Sequence, residues 1–386
     1  MDASPPPLTF NDIYWRPLAA ALATTLIVCP IIRGIAVRLE LYDRPDGGLK
    51  PHQQPIPYLG GVAMYAGWLV ALAVAYASVV AARGLIPWIA AAGTVLMLTG
   101  LVDDLRHLSP KVRLLIQAAM ACLLMYGGVG RYVSLALLIP IHEYLPMPDW
   151  FLSEPMVLTV SGLVCMFTIA GATNATNFID GLDGLCAGIL AIASVGLLLV
   201  SLLLFRADPR HDPSGPMRIV LCAGVLGACL GFLRYNFNPA SIFMGDSGSL
   251  LLGFNVAVLL ILLAEQPCHA GYATWRWLDG GLIVFAFPVL DTGVAITRRW
   301  LNRRPLFVGD RSHLYDQIRD RGYSVRQTVL ICYTIGVVFA LLGPAVVRLP
   351  TLLLFAMLLA VPSAAGLICR RYGLLRVDDT GTRAGG

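Results

Sequence analysis

About eleven apolar stretches, joined by short polar connectors, leave this chain few folds to choose from. They run roughly over 16–37, 59–82, 86–102, 112–126, 156–172, 185–205, 219–235, 250–264, 280–297, 327–347 and 349–369. Each approaches the roughly 20 residues that a helix needs to cross a bilayer. Only helices and closed barrels satisfy their backbone in lipid, and continuous apolar runs of this length predict helices. Composition agrees, with 57% hydrophobic and 13% charged residues, against roughly 25% charged in a soluble domain. The expectation is an all-α, polytopic integral membrane bundle of about eleven transmembrane helices, with ten as the alternative count. The apolar stretch 132–141 is short and bounded by Pro140, so it is expected to be interfacial or re-entrant. Residues 1–15 form a short non-cytoplasmic start, 16–372 the membrane domain and 373–386 a cytoplasmic tail. The start holds Asp2 and Asp12 but no basic residue, unlike a cleaved signal peptide, so the first stretch is expected to be a retained anchor. Nine cysteines without a Cys-x-x-Cys pair predict neither a disulfide framework nor a zinc site.

Basic residues set the orientation. With the N-terminus outside, the connectors near Asp43, Asp103, Asn177, Asp246 and Arg303, plus the tail, carry 20 of the 28 Lys and Arg residues. The opposite side carries eight, three of them in the 206–218 connector. All the polar strings thereby fall on the cytoplasmic face of a plasma (inner) membrane.

Those strings carry the chemistry. Asn174-Ala-Thr-Asn177-Phe-Ile-Asp180-Gly-Leu-Asp183-Gly184 spaces two amides and two carboxylates three residues apart between apolar segments. Carboxylates at a membrane surface are costly and mark function, and oxygen donors without Cys or His suit Mg²⁺, or Mn²⁺, over zinc. Asp103 and Asp104 end the third stretch, where paired charges oppose the helix dipole. They are either a base beside a cation or a solvated end neutralised by Arg106 and Lys111. In Met244-Gly-Asp246-Ser247-Gly248-Ser249, Asp246 is an N-cap, a metal ligand, or both. Lys50 precedes Pro57-x-x-Gly60-Gly61, either snorkelling to headgroups or facing an anionic lipid head. In the basic 298–326 connector, Arg298 to Arg304 read as the positive-inside signal, whereas Arg311 and His313 sit in a compact polar string suited to a diphosphate. Asp291 lies inside the ninth stretch, as a functional acid or as an arginine's partner.

Taken together, five strings in order resemble the polyprenyl-phosphate N-acetylhexosamine-1-phosphate transferase family: Pro57-x-x-Gly60-Gly61, Asp103-Asp104, Asn174 to Gly184, Phe243 to Ser249, and the loop ending at His313. The resemblance spans about Lys50 to Ser324. It implies transfer of a HexNAc-1-phosphate from a UDP-sugar to undecaprenyl phosphate with release of UMP. The phospho-N-acetylmuramoyl-pentapeptide transferase of peptidoglycan synthesis is the alternative within the family, and an ion-coupled transporter the alternative outside it. By resemblance, Asp246 would hold a catalytic Mg²⁺ with Asn177 in or beside its shell. Asp103 and Asp104 would lie at the acceptor phosphate, one as base. Asn174, Asp180 and Asp183 would help position the nucleotide sugar, His313 and Arg311 would meet its diphosphate, and Lys50 is the basic residue before the turn. Implied partners are the UDP-HexNAc donor, undecaprenyl phosphate and membrane lipids, without nucleic acid, and a homodimer is the assembly considered. Where the N-acetylglucosamine enzymes of the family carry a His-x-His-His string, this chain reads His313-Leu-Tyr315-Asp316, closer to the Ser-His-x-Tyr form of related transferases for other amino sugars. Tyr315 and Asp316 are thus expected either to tune sugar choice or to be structural, with Tyr315 against lipid and Asp316 paired to Arg319.

Overall fold

The computed structural model describes residues 11–44, 54–145, 147–207, 212–265, 275–303, 313–349 and 363. A π-helical turn (Asn11–Trp15) leads into α1 (Arg16–Arg38). Two-residue strands, β1 (Tyr42–Asp43) and β2 (Ile56–Pro57), then pair antiparallel with Tyr42 opposite Pro57. The other long elements among the described residues are helices: α2 (Gly60–Ser78), α3 (Ile86–Arg106), α4 (Pro110–Tyr126), α5 (Leu135–Tyr144), α6 (Glu154–Phe178) and α7 (Leu185–Ala207). There follow α8 (Gly215–Asn236), α9 (Gly245–Ala264), α10 (Trp275–Val284), α11 (Ala286–Leu301), α12 (Leu314–Arg319) and α13 (Val325–Val346).

Among the described residues, eight helices are long and apolar enough to cross a membrane, or nine if the bent pair α10–α11 counts as one span. The chain is a multi-pass membrane protein. The expected count of eleven is therefore not reproduced helix for helix, and each difference has a local cause. The fourth stretch forms the 17-residue α4, at the short limit for a span. The ninth breaks between Val284 and Ala286 with a bend of 74°, where Pro288 enters the first turn of α11 and cannot continue the preceding ladder. The eleventh lies outside the described residues. Stretch 132–141 becomes α5, ten residues long and too short to span, as expected.

Helix α9 is the axis, buried without interruption from Ser247 to Ala264. Helices α3 and α6 pack on it, while α8 is enclosed by α1, α2 and α7. Outer helices bury only a stripe: α1 turns Ala21, Thr25 and Cys29 inward at every fourth position and leaves Ile27, Ile31 and Ile35 exposed. Apolar outward faces of this kind suit lipid, and small residues let helices approach where no water drives them together.

Candidate active site

The site is assembled from helix ends. The first backbone N–H groups of α9 have no partner within the helix, and Asp104, in the last turn of α3, supplies one. Its Oδ1 accepts from Asp246 N at 2.8 Å and its Oδ2 from Ser247 N at 3.2 Å. Gly245 precedes them at φ +70°, and a Cβ there would overlap the Asp104 carboxylate. The expectation that Asp246 caps α9 with its own side chain is corrected: the cap comes from another helix, and the Asp246 carboxylate is left for other partners. The Pro57-x-x-Gly60-Gly61 string also has a structural task. Gly60 N and Gly61 N donate to the carbonyls of Phe243 and Met244 at 2.8 and 2.9 Å, docking the start of α2 beside the Asp246 string.

Asp246 then meets two chain segments. Asn177 Nδ2 donates to its Oδ1 at 2.6 Å and to Ser249 Oγ at 3.0 Å. Arg113 Nη1 bridges Asp246 Oδ2 at 3.2 Å and Asp103 Oδ2 at 2.7 Å. Asp103 is buried, and its Oδ1 accepts from Leu108 N at 2.6 Å. The expected neutralisation by Arg106 and Lys111 is corrected in identity: both are exposed, and the ion pairs run to Arg113 on the first turns of α4. Arg113 and Ser249 are thus participants that sequence reasoning missed. Arg113 is one basic residue among several in a connector, and only the packing of α4 on α3 aims it at Asp246.

The Asn174-to-Asp183 spacing spans a helix end. Asn174 and Asn177 are on α6, while Asp180 and Asp183 lie in the turn before α7. The structure does not bring Asn174 to the cavity: its Nδ2 turns back to the Ala170 carbonyl at 2.7 Å, as amides near helix ends do. Asp183 is anchored, its Oδ2 accepting from Asn238 Nδ2 and Ala240 N, both at 2.9 Å. Asp180 lines a cavity of about 400 Å³ with Asp103, Asp104, Asp183, Asp246 and Asp43, beside Tyr58, His107 and Phe243. Burial pushes the Asp180 carboxyl well above the usual range, and the charges of Asp246, Asp104 and Asp183 push it further. Burial likewise raises the Tyr58 phenol, with Asp104 and Asp43 adding to the shift.

His313 sits behind this turn. Its Nδ1 lies 2.7 Å from Asp291 Oδ2, which makes Nδ1–H the donor to the carboxylate and leaves Nε2 as the ring's acceptor nitrogen. Leu314 N donates to Asp291 Oδ1 at 2.6 Å, so the intramembrane acid serves the His313 string and not an arginine. Arg298 and Arg299, read from the sequence as part of the positive-inside signal, are buried. Tyr315 is also buried, not facing lipid: its hydroxyl donates to the Phe178 carbonyl at 3.1 Å. Asp316 accepts from His313 N at 3.3 Å. Lys50 and Arg311 lie outside the described residues.

Among the described residues, no three His, Cys, Asp or Glu side chains are close enough together to form a ready-made metal site. The donor chemistry nonetheless fits a hard divalent cation. Six carboxylates line one cavity, and the charges of Asp246, Asp104 and Asp183 add to the burial that raises the Asp180 carboxyl. Mg²⁺ characteristically takes one or two carboxylates and completes its shell with water and substrate phosphates. Asp246, with Asn177 beside it, is the pair that could hold such an ion.

Residues 86–264 match the family model described as Glycosyl transferase family 4. The chain is 31% identical over 362 residues to a "Probable undecaprenyl-phosphate N-acetylglucosaminyl 1-phosphate transferase" of Bacillus subtilis, covering 91% of this chain and 92% of that protein. It is 33% identical over 338 residues to the "Decaprenyl-phosphate N-acetylglucosaminephosphotransferase" of Mycobacterium tuberculosis, covering 83% and 79%. With the "Undecaprenyl-phosphate alpha-N-acetylglucosaminyl 1-phosphate transferase" of Escherichia coli K12 it shares 29% over 335 residues, covering 83% and 80%.

Proposed function

The chain belongs to glycosyl transferase family 4, and on that premise we propose that it transfers a HexNAc-1-phosphate from a UDP-sugar to undecaprenyl phosphate. The lipid phosphate oxygen forms a bond to the sugar-bearing phosphorus, the bond from that phosphorus to the bridging oxygen breaks, and UMP leaves. The product is a polyprenyl diphosphate sugar, the first intermediate of a lipid-linked envelope glycan. UDP-GlcNAc is the first donor to try, since the relatives are named for that sugar. The site faces the cytoplasm of the plasma membrane in this reading, supported by the excess of basic residues on that side.

One observation carries the proposal: carboxylates from β1, the end of α3, the α6–α7 turn and the start of α9 line one cavity at an end of the bundle. Two phosphates approaching one another there need their charge offset, and positioning with electrostatics supplies most of the catalysis in phosphoryl transfer. Arg113 provides a guanidinium suited to phosphate oxygens. Asp103 is the better base of the two adjacent acids. Asp104 is committed to the α9 backbone through both oxygens, whereas Asp103 gives one oxygen to Leu108 N and the other to Arg113, and that second contact is the one an arriving phosphate would draw away. Asp180 and the anchored Asp183 position the donor, and Asp246 with Asn177 would hold Mg²⁺. When bound, that ion supplies charge neutralisation across the donor diphosphate.

The test is UMP release by purified protein given undecaprenyl phosphate and a panel of UDP-HexNAc donors. Release that depends on both the lipid and one amino sugar is expected. No release above the lipid-free background, with any donor, overturns the reading.

A further inference from the structure

The α6–α7 turn that carries Asp180 and Asp183 is clamped from two directions. On the Asp183 side, Gly184 N donates to Asn236 Oδ1 at 3.0 Å, and Tyr333 Oη donates to the Gly184 carbonyl at 2.6 Å. On the Asp180 side, the clamp is a stack of rings. His313 lies 5.8 Å from Phe178 and 5.5 Å from Tyr315, nearly parallel to Tyr315 at 6°. The Tyr315 hydroxyl reaches past this stack to the Phe178 carbonyl. The same ring fills the space where residue 181 would carry a Cβ, so only glycine lets the turn close over it. His313 is itself locked by Asp291 and Asp316.

We infer that Tyr315 is a positioning residue: its hydroxyl and ring hold the Phe178–Gly181 segment, and so set where Asp180 stands opposite Asp246. The inference rests on the transferase reading, in which Asp180 positions the donor. It replaces both roles expected for position 315, since the phenol is buried against the Phe178 carbonyl and is not among the residues lining the carboxylate cavity. Burial, reinforced by the charges of Asp316, Asp291 and Asp180, raises the phenol well above its ordinary value. Tyr315 therefore remains a hydrogen-bond donor across the working pH range. A histidine here has a shorter ring that falls short of the Phe178 carbonyl, so it would release the clamp without creating a new sugar contact.

The experiment measures UMP release while UDP-GlcNAc and undecaprenyl phosphate are varied separately. Tyr315→Phe keeps the ring and loses one hydrogen bond, so KM for the donor should rise about three- to tenfold while KM for the lipid stays unchanged. Tyr315→His should raise donor KM similarly for every UDP-HexNAc accepted, with the ratios between donors unaltered. Gly181→Ala approaches the same clamp from the other side by pushing the phenol away. The double variant Gly181→Ala/Tyr315→Phe should then be no worse than Gly181→Ala alone, because neighbours sharing one interaction are not additive. Should Tyr315→Phe not fold, Gly181→Ala and Tyr315→His read the same selective change in donor KM. Unchanged constants in these variants, or equal losses toward donor and lipid, overturn the inference while leaving the transferase reading intact. A wild-type protein that releases no UMP overturns the transferase reading and this inference with it.

Discussion

Replacing Arg113 with methionine removes the guanidinium nitrogen that touches both Asp103 and Asp246. The two contacts differ in weight. The Asp103 side chain is 6% exposed, and stripping a buried charge of its partner costs about 3–5 kcal/mol. The Leu108 backbone N–H still reaches Asp103, which favours the lower end of that range. The Asp246 side chain is 29% exposed and its contact longer, at 3.2 Å, so solvent screening leaves roughly 0.5 kcal/mol there. A loss of about 3 kcal/mol corresponds to a fall in melting temperature of roughly 3–5 °C for a chain of this size. Both contacts come from one nitrogen, so a lysine ammonium, with three donors, can replace much of it. Arg113→Lys should keep most of the stability, whereas Arg113→Met should lose UMP release by more than about a hundredfold. Adding Asp103→Asn to Arg113→Met should return stability, because it removes the stranded charge. Thermal melts of detergent-solubilised protein, read by size-exclusion fluorescence, give the first quantity and the UMP assay the second. An Arg113→Met protein that melts with the wild type and keeps its kcat/KM would refute the bridging role.

Asp246→Asn should abolish transfer but leave the melting temperature close to wild type, since Asp104 and not Asp246 caps α9; an active variant at saturating Mg²⁺ would sink the metal assignment. Chelation with EDTA should stop UMP release and Mg²⁺ or Mn²⁺ restore it, with Zn²⁺ failing because Asp246 and Asn177 offer only hard oxygen donors. The Asp180 carboxyl is raised in the fold, so its contribution to stability is present below the ordinary carboxylate range and is lost as pH rises through the elevated folded value. Metal-free protein should accordingly lose melting temperature with rising pH, and Asp180→Asn should flatten that slope. In intact cells carrying a variant with all nine native cysteines replaced, an impermeant thiol reagent should label Ala207→Cys but not Tyr323→Cys, and labelling of both from outside would break the proposed orientation.

The membrane class is legible in the chain because lipid demands long unbroken apolar runs, and these survive whatever the packing does. Helices α1, α2, α3, α6, α7, α8, α9 and α13 each coincide with an apolar stretch read from the sequence. Their exact ends are less legible, since a polar residue in the last turn of a helix reads like a connector. Helix α3 runs on through Asp103 and Asp104 to Arg106, and α6 runs through both asparagines to Phe178. The short α4 and the broken α10–α11 pair escape a length criterion because their limits are set by Ser109, Pro110 and Pro288 and by neighbouring helices.

The site itself was half legible, and the division follows from geometry. Asp103, Asp104, Asn177, Asp180, Asp183 and Asp246 stand out because acids and amides flanking apolar runs need a reason to be there. What no linear string carries is which of them face one another. Asn174 shares the three-residue spacing of its neighbours, yet on a helix its amide finds the Ala170 carbonyl first, whereas Asn177 meets α9. Arg113 acquires its role only when α4 folds back on α3, and Tyr315 only when α12 is laid under Gly181. In each case the deciding partner is more than 60 residues away along the chain: Asn177 and Asp246 are 69 apart, Arg113 and Asp246 are 133 apart, Tyr315 and Phe178 are 137 apart. A site built where helix ends converge therefore shows its residue types in sequence and reserves its pairings for the fold. Asp104 makes the point most directly, being chemically a candidate base on its own helix and, once α9 arrives, the acceptor that holds the Asp246 backbone in place.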